Sequence, residues 1–123
     1  MNSRKASPQR GEVWLVGLDP TKGKEMKKRR PAVVVSSNAV GTTGLRIIVP
    51  LTGWDEAYSS APWFVRFRPT TRNGLKKESA ADCFQVRSVS VSRFVKRTGA
   101  IAAGELKRVV EGILLCIDYV PNP

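Results

Sequence analysis

Val13-Trp14-Leu15-Val16 and Ala32-Val33-Val34-Val35 are two short apolar runs set on either side of the polar stretch from Asp19 to Arg30. Their length and β-branched side chains mark strands rather than helices. Gly17 and Asp19-Pro20 end the first run, and Pro31 opens the second. Further along, Asn38 to Gly44 is turn chemistry punctuated by Gly41 and Gly44, and Arg46 to Leu51 is a third strand. Gly53 to Pro62 reads as a loop carrying Trp54 and Tyr58. From Trp63 to Arg68 the pattern alternates. Trp63, Val65 and Phe67 share one face and Phe64, Arg66 and Arg68 the other, as in a half-exposed antiparallel strand. Asn73-Gly74 is a tight turn. Cys83 to Val86 and Val89 to Val95 are expected as the last strands. Leu106, Val109, Val110, Ile113, Leu114 and Ile117 fall at helical spacing, so Gly104 to Ile117 is expected as one closing helix. Many short strands with one late helix imply a mainly β fold with some α: a small, strongly curved antiparallel β-barrel with a C-terminal helix.

The 123 residues fit one domain, with no internal repeat, and 41% hydrophobic residues suffice for a core. Residues 1–9 are expected to be a disordered basic leader without the apolar segment of a secretory signal, and residues 10–120 the domain. No run approaches the roughly 18 apolar residues of a membrane span. At this size the core is thin. Ile101, Leu115, Trp63 and Phe64 offer apolar surface beyond its needs, so a homodimer with a two-fold interface is expected.

Charge is the strongest bulk signal. Twenty-one Lys and Arg against ten Asp and Glu give +11, which calls for a polyanionic partner, either nucleic acid or an acidic protein. Lys22, Lys24, Lys27, Lys28, Arg29 and Arg30 place six cations in the first inter-strand loop, opposed by Asp19 and Glu25. Arginine there can clamp a phosphate bidentately, and lysine serves as a point charge. The same loop contains Gly17-Leu18-Asp19-Pro20-Thr21-Lys22-Gly23-Lys24, which is not a nucleotide-binding P-loop. Its glycine spacing is one residue too long, and Glu25 stands where a Ser or Thr would hold magnesium. With no histidine and no CxxC around Cys83 and Cys116, a Cys/His zinc site and any Cys–His or Ser–His nucleophile are excluded. Cys116 reads as core packing, and no metal or cofactor is implied. Trp54, Tyr58 and Phe64 are candidates for stacking on unpaired bases, and Arg66, Arg68 and Arg87 for extending a basic surface.

Three blocks now bear on family. They are Arg10-Gly11-Glu12-Val13-Trp14-Leu15-Val16, Asp19-Pro20-Thr21-Lys22-Gly23-Lys24-Glu25 and Arg30-Pro31-Ala32-Val33-Val34-Val35-Ser36. Together they strongly resemble the opening of MazF/PemK toxins. The resemblance continues through Val49-Pro50-Leu51-Thr52, Gln85-Val86-Arg87-Ser88-Val89 and the helix at Glu105-Leu106. It implies an SH3-like or CcdB-like barrel that forms a homodimer. It implies a cytoplasmic, metal-independent endoribonuclease that cuts single-stranded RNA, chiefly mRNA, at short motifs. It also implies a cognate antitoxin whose acidic, disordered tail occupies the RNA groove.

Residue by residue, the resemblance puts the RNA-cleaving pair on Arg30 and Thr52 and a site carboxylate on Glu25. Gln85 and Arg87 match positions lining the RNA groove or the dimer surface. Some members carry histidine where this chain has Arg29. The implied reaction is attack of the RNA 2′-hydroxyl on the adjacent phosphate, giving a 2′,3′-cyclic phosphate and a 5′-hydroxyl. Arg30 would stabilise the anionic phosphorane through two parallel N–H donors, Thr52 would add a hydroxyl donor, and Glu25 is the candidate base. Arginine is a poor acid because it holds its proton so tightly. The alternative roles are structural: Thr52 ending a strand, Glu25 neutralising lysines, Arg30 pairing with Asp19 or Glu25. Two rival functions remain open at this point, a CcdB-like toxin that poisons gyrase and an RNA-binding barrel without cleavage.

Overall fold

The computed structural model describes residues 7–121, so residues 1–6 of the expected leader lie outside the described residues. Order begins before residue 10. Pro8 is fully buried, and its carbonyl accepts a 2.8 Å hydrogen bond from Arg46 Nε.

Seven strands and one helix follow: β1 (Glu12–Gly17), β2 (Arg29–Val34), β3 (Leu45–Gly53), β4 (Phe64–Phe67), β5 (Ser79–Asp82), β6 (Arg87–Ser90), β7 (Phe94–Ala100) and α1 (Ala103–Cys116). The strand order is β4-β5-β3-β2-β1-β7, with β6 paired to β3, and every pairing is antiparallel. The sheet curves around its core without closing by hydrogen bonds, since β4 and β7 do not pair. The turn after β4 bridges that gap. Ala100 N–H donates to Arg72 O at 2.9 Å. Gly74, at φ +67°, and Gly99 let the two backbones approach so closely that a Cβ on Gly74 would lie 2.0 Å from Thr98 O.

The apolar runs that mark β1 and β2 are nearly continuous because both faces of these strands are buried. Val13, Val33, Val49 and Leu51 point into the main core with Val65, Phe67, Leu75, Ile101 and Val109. Val16, Ala32, Val34 and Ile48 face a second cluster with Leu18, Val89 and Phe94, against which Trp14 packs edge-on. Burying one such side chain stabilises by about 1.5–3 kcal/mol, so both faces of this sheet contribute to the stability of the fold. Ile101 is therefore core, not spare surface, which corrects the expectation that it helps form an interface.

Two local expectations also change. The expected strand at Cys83–Val86 is a 3₁₀ turn, Cys83–Gln85, capped by the Asp82 carboxylate accepting from Phe84 N–H at 3.1 Å. The strand lies just before it, at Ser79–Asp82. The expected strand at Val89–Val95 is two strands, divided by a 3₁₀ turn at Val91–Arg93. Burial pushes the Cys83 thiol up to about 12, with help from nearby Cys116 and Asp82, and both cysteines are free.

Helix α1 closes the main core at Gly112, where the absence of a side chain admits Cys83. A Cβ built on Gly112 would meet Cys83 Sγ at 2.6 Å. Gly112→Ala is expected to destabilise the fold by about 1–2 kcal/mol through overpacking, despite the better helix propensity of alanine. Urea unfolding midpoints check this, and adding Cys83→Ala to Gly112→Ala should recover most of the loss.

Candidate active site

The antiparallel register of β2 and β3 pairs Val34 with Ile48, Val33 with Val49 and Ala32 with Pro50. Continued by two residues, it brings Arg30 opposite Thr52. The side chains meet: Arg30 Nη1 donates to Thr52 Oγ1 at 3.3 Å. Arg30 Nε donates to Lys27 O at 3.0 Å, which fixes the plane of the guanidinium. Among the described residues Arg30 has no ion pair. Its remaining N–H donors are available to a bidentate anion.

Arg30 and Thr52 both line a cleft of about 510 Å³. Leu15, Pro31, Leu51 and Leu75 supply apolar lining, and Arg29, Lys76, Lys77 and Lys96 are its other cations. No carboxylate is among the residues lining it. An apolar bed with a cationic rim suits a nucleotide, whose base is apolar on its faces and whose phosphate is an anion. Arg29 was expected from the sequence. Lys76, Lys77 and Lys96 were not. Lys96 reaches the cleft because β1 and β7 pair Leu15 with Lys96, a long-range contact with no local signature. Lys76-Lys77 does carry a signal, two adjacent cations one residue beyond the Asn73-Gly74 turn.

The basic loop between β1 and β2 is held at many points. Leu18 N–H donates to Lys28 O at 2.9 Å, closing its base, and Lys28 takes a left-handed backbone at φ 70°. The Arg93 guanidinium donates to the Gly17 and Asp19 carbonyls, and the Arg87 guanidinium to Leu18 O. Gln85 grips the loop from both ends of its amide. Oε1 accepts from Met26 N–H and Nε2 donates to Lys24 O, each at 3.0 Å. Gln85 and Arg87 thus position the loop. Lys22, Lys24, Lys27 and Lys28 stand exposed on it. Glu25 is not brought to the Arg30–Thr52 pair. Its carboxylate accepts from Lys22 N–H at 2.7 Å within the loop and does not line the cleft.

The aromatic candidates stack on one another. Tyr58 lies parallel to Phe64 at 3.9 Å, and Arg66 sits 4.5 Å above the Trp54 ring. Arg66 pairs with Glu78 at 2.9 Å, and Arg68 lies 3.9 Å from the same carboxylate. Arg66 is thus engaged by the Glu78 carboxylate, while Arg68, at 84% side-chain exposure, stays largely in solvent.

A curved antiparallel sheet capped by one helix, with an arginine–threonine pair in a cationic cleft, defines a small β-barrel-like protein with an anion-ready site. The chain belongs to the PemK-like, MazF-like toxin family of type II toxin–antitoxin systems, whose profile matches residues 9–117. It is 34% identical over 116 residues to the endoribonuclease MazF9 of Mycobacterium tuberculosis, covering 89% of this chain and 96% of that one. It is 31% identical over 112 residues to the endoribonuclease PemK of Escherichia coli, covering 90% and 77%. MazF from Deinococcus radiodurans has the same fold, with a TM-score of 0.78 at 25% identity over 93% of this chain and 99% of that one. So does the MazF-type chain in the MazE–MazF complex from that organism, with a TM-score of 0.70 at 25% identity, covering 94% and 100%.

Gln85→Ala is expected to cost about 1 kcal/mol and to free the segment Lys24–Met26, because it removes both hydrogen bonds at once. Trypsin should then cut after Lys24 and Lys27 faster than in the parent protein. Unchanged cleavage at both sites would show that Gln85 does not hold the loop.

Proposed function

We propose that this chain is the toxin of a toxin–antitoxin system: an endoribonuclease that cuts single-stranded mRNA at a short sequence, without a metal ion, by attack of the RNA 2′-hydroxyl. The observation that carries this reading is the contact of the Arg30 guanidinium with the Thr52 hydroxyl in a cationic cleft, in a chain of this family. Arg30 offers parallel donors to the non-bridging oxygens as negative charge builds in the phosphorane. Thr52 holds the guanidinium in place and adds a hydroxyl donor. The exposed cations Lys22, Lys24, Lys27, Lys28 and Arg29 draw the RNA backbone toward the cleft. Cleavage of mRNA would take place in the cytoplasm. Among the described residues no helix is long and apolar enough to cross a membrane.

The natural partner of such a basic surface is an antitoxin with an acidic, disordered tail that competes with RNA. The +11 charge and the Deinococcus relative solved with MazE support this. A homodimer is supported by apolar side chains left exposed at the end of α1 and just beyond it: Leu115, Ile117, Tyr119 and Val120. Sedimentation at micromolar concentration should give about twice the 13.5 kDa chain mass, and a monomer alone would refute the dimer.

Incubation with a long single-stranded RNA in EDTA tests the activity. Cleavage leaving 2′,3′-cyclic phosphate and 5′-hydroxyl ends is expected. Binding without cleavage would support the RNA-binding barrel, and neither binding nor cleavage would leave the gyrase-poisoning reading. Arg30→Lys keeps the charge but loses the fork, so cleavage should slow by roughly 10²–10³-fold. Near-normal cleavage by Arg30→Lys would remove Arg30 from this role.

A further inference from the structure

Cutting RNA by its own 2′-hydroxyl requires a proton for the departing 5′-oxygen. Arg30 gives up its proton too reluctantly for that task, and Thr52 is a weak acid. Glu25 is tied to the loop backbone outside the cleft. Arg29 is as reluctant as Arg30, and the Ser79 and Thr98 hydroxyls are as weak as that of Thr52, so the remaining acids lining the cleft are the ammonium groups of Lys76, Lys77 and Lys96. Of these, Lys77 is distinguished by a second observation. Its Nζ lies over Gly53, the residue after Thr52, so closely that a Cβ on Gly53 would meet it at 3.3 Å. Gly53 therefore leaves room for this ammonium one residue along β3 from Thr52, in the cleft that Arg30 and Thr52 also line. Lys77 has no ion pair among the described residues, and Nζ donates no hydrogen bond there. The neighbouring Glu78 carboxylate, which would otherwise compete for it, is committed to Arg66 and Arg68.

We propose that Lys77 is the general acid of the cleavage, an inference that rests on the ribonuclease reading above. As the RNA 2′-oxygen bonds to phosphorus, its proton passes to solvent water. The bond from phosphorus to the 5′-oxygen breaks, and Lys77 Nζ delivers a proton to that oxygen, so the product leaves as a 5′-hydroxyl. The resulting neutral amine regains a proton from solvent. Arg30 carries the charge of the phosphorane and Lys77 the charge of the leaving group, which divides between two side chains the work that one arginine would do badly. Lys96 enters the cleft from β7 and is assigned to holding the phosphate backbone.

A leaving group that needs no proton separates acid catalysis from simple phosphate binding. Two RNAs serve, one natural and one with sulfur replacing the bridging 5′-oxygen at the cut site, since a thiolate departs unprotonated. Cleavage is measured in single turnovers at saturating RNA. Lys77→Met is expected to cut the natural RNA about 10²–10⁴-fold more slowly, the usual contribution of a general acid, and the sulfur RNA within tenfold of the parent protein. Arg30→Lys should be impaired on both. Equal impairment of Lys77→Met on the two RNAs would overturn the proposal, leaving Lys77 as a phosphate contact. A normal rate on natural RNA would overturn it too. If the parent protein cuts neither RNA, the ribonuclease reading itself fails.

Discussion

Strand β3 is the constraint on which the rest depends. Along one edge Ile48–Pro50 pairs with β2, while along the other its first half pairs with β6 and its last residues with β5. The second edge changes partner between Ile48, opposite Arg87, and Leu51, opposite Ala81. Pro50 lies in that gap. Proline cannot donate to a ladder and is costly inside a sheet, so it fits where a strand passes from one partner to another. Val49 and Leu51 point into the main core and Ile48 into the second cluster. A slip of one residue would send each to the wrong side. The register is thus fixed by burial on both faces, and Thr52 inherits its place opposite Arg30 from that register.

The site sits where this rigid sheet ends and the loops begin. Arg30 lies on the strand itself, two residues before Ala32, and Thr52 lies two residues after Pro50. Such positions hold side chains more tightly than loop positions do. The basic loop is different in kind. Its path is set by Gln85, Arg87 and Arg93 acting on its backbone carbonyls and amides, which leaves its own lysines exposed to solvent. One part of the molecule thus supplies precision and an adjoining part supplies attraction.

Much of this was legible in the sequence. The runs Val13–Val16 and Ala32–Val35 gave their strands away because burial on two faces demands apolar residues at every position. Arg30 and Thr52 were legible through the family blocks around them. Strand β5 was not, because Ser79-Ala80-Ala81-Asp82 lacks the β-branched and aromatic residues that signal a strand. Its small side chains are buried instead, and packing outweighs propensity. Phe84 and Val86 suggested a strand where the Asp82 carboxylate nucleates a turn. Lys96 was invisible for another reason. Its place depends on the pairing of β1 with β7, far apart in the chain.

The central claim is that the β2–β3 register makes Arg30 and Thr52 one catalytic unit. A double-mutant cycle on the single-turnover cleavage rate tests it most directly, using Arg30→Ala, Thr52→Ala and the double variant at saturating RNA. If the two side chains act together, Thr52→Ala slows the parent protein severely but slows Arg30→Ala little further. A coupling of about 1.4 kcal/mol or more, a tenfold departure from multiplicative effects, is the expected result. The same slowing by Thr52→Ala in both backgrounds would mean that the residues act independently, and that their 3.3 Å contact is not the core of the site.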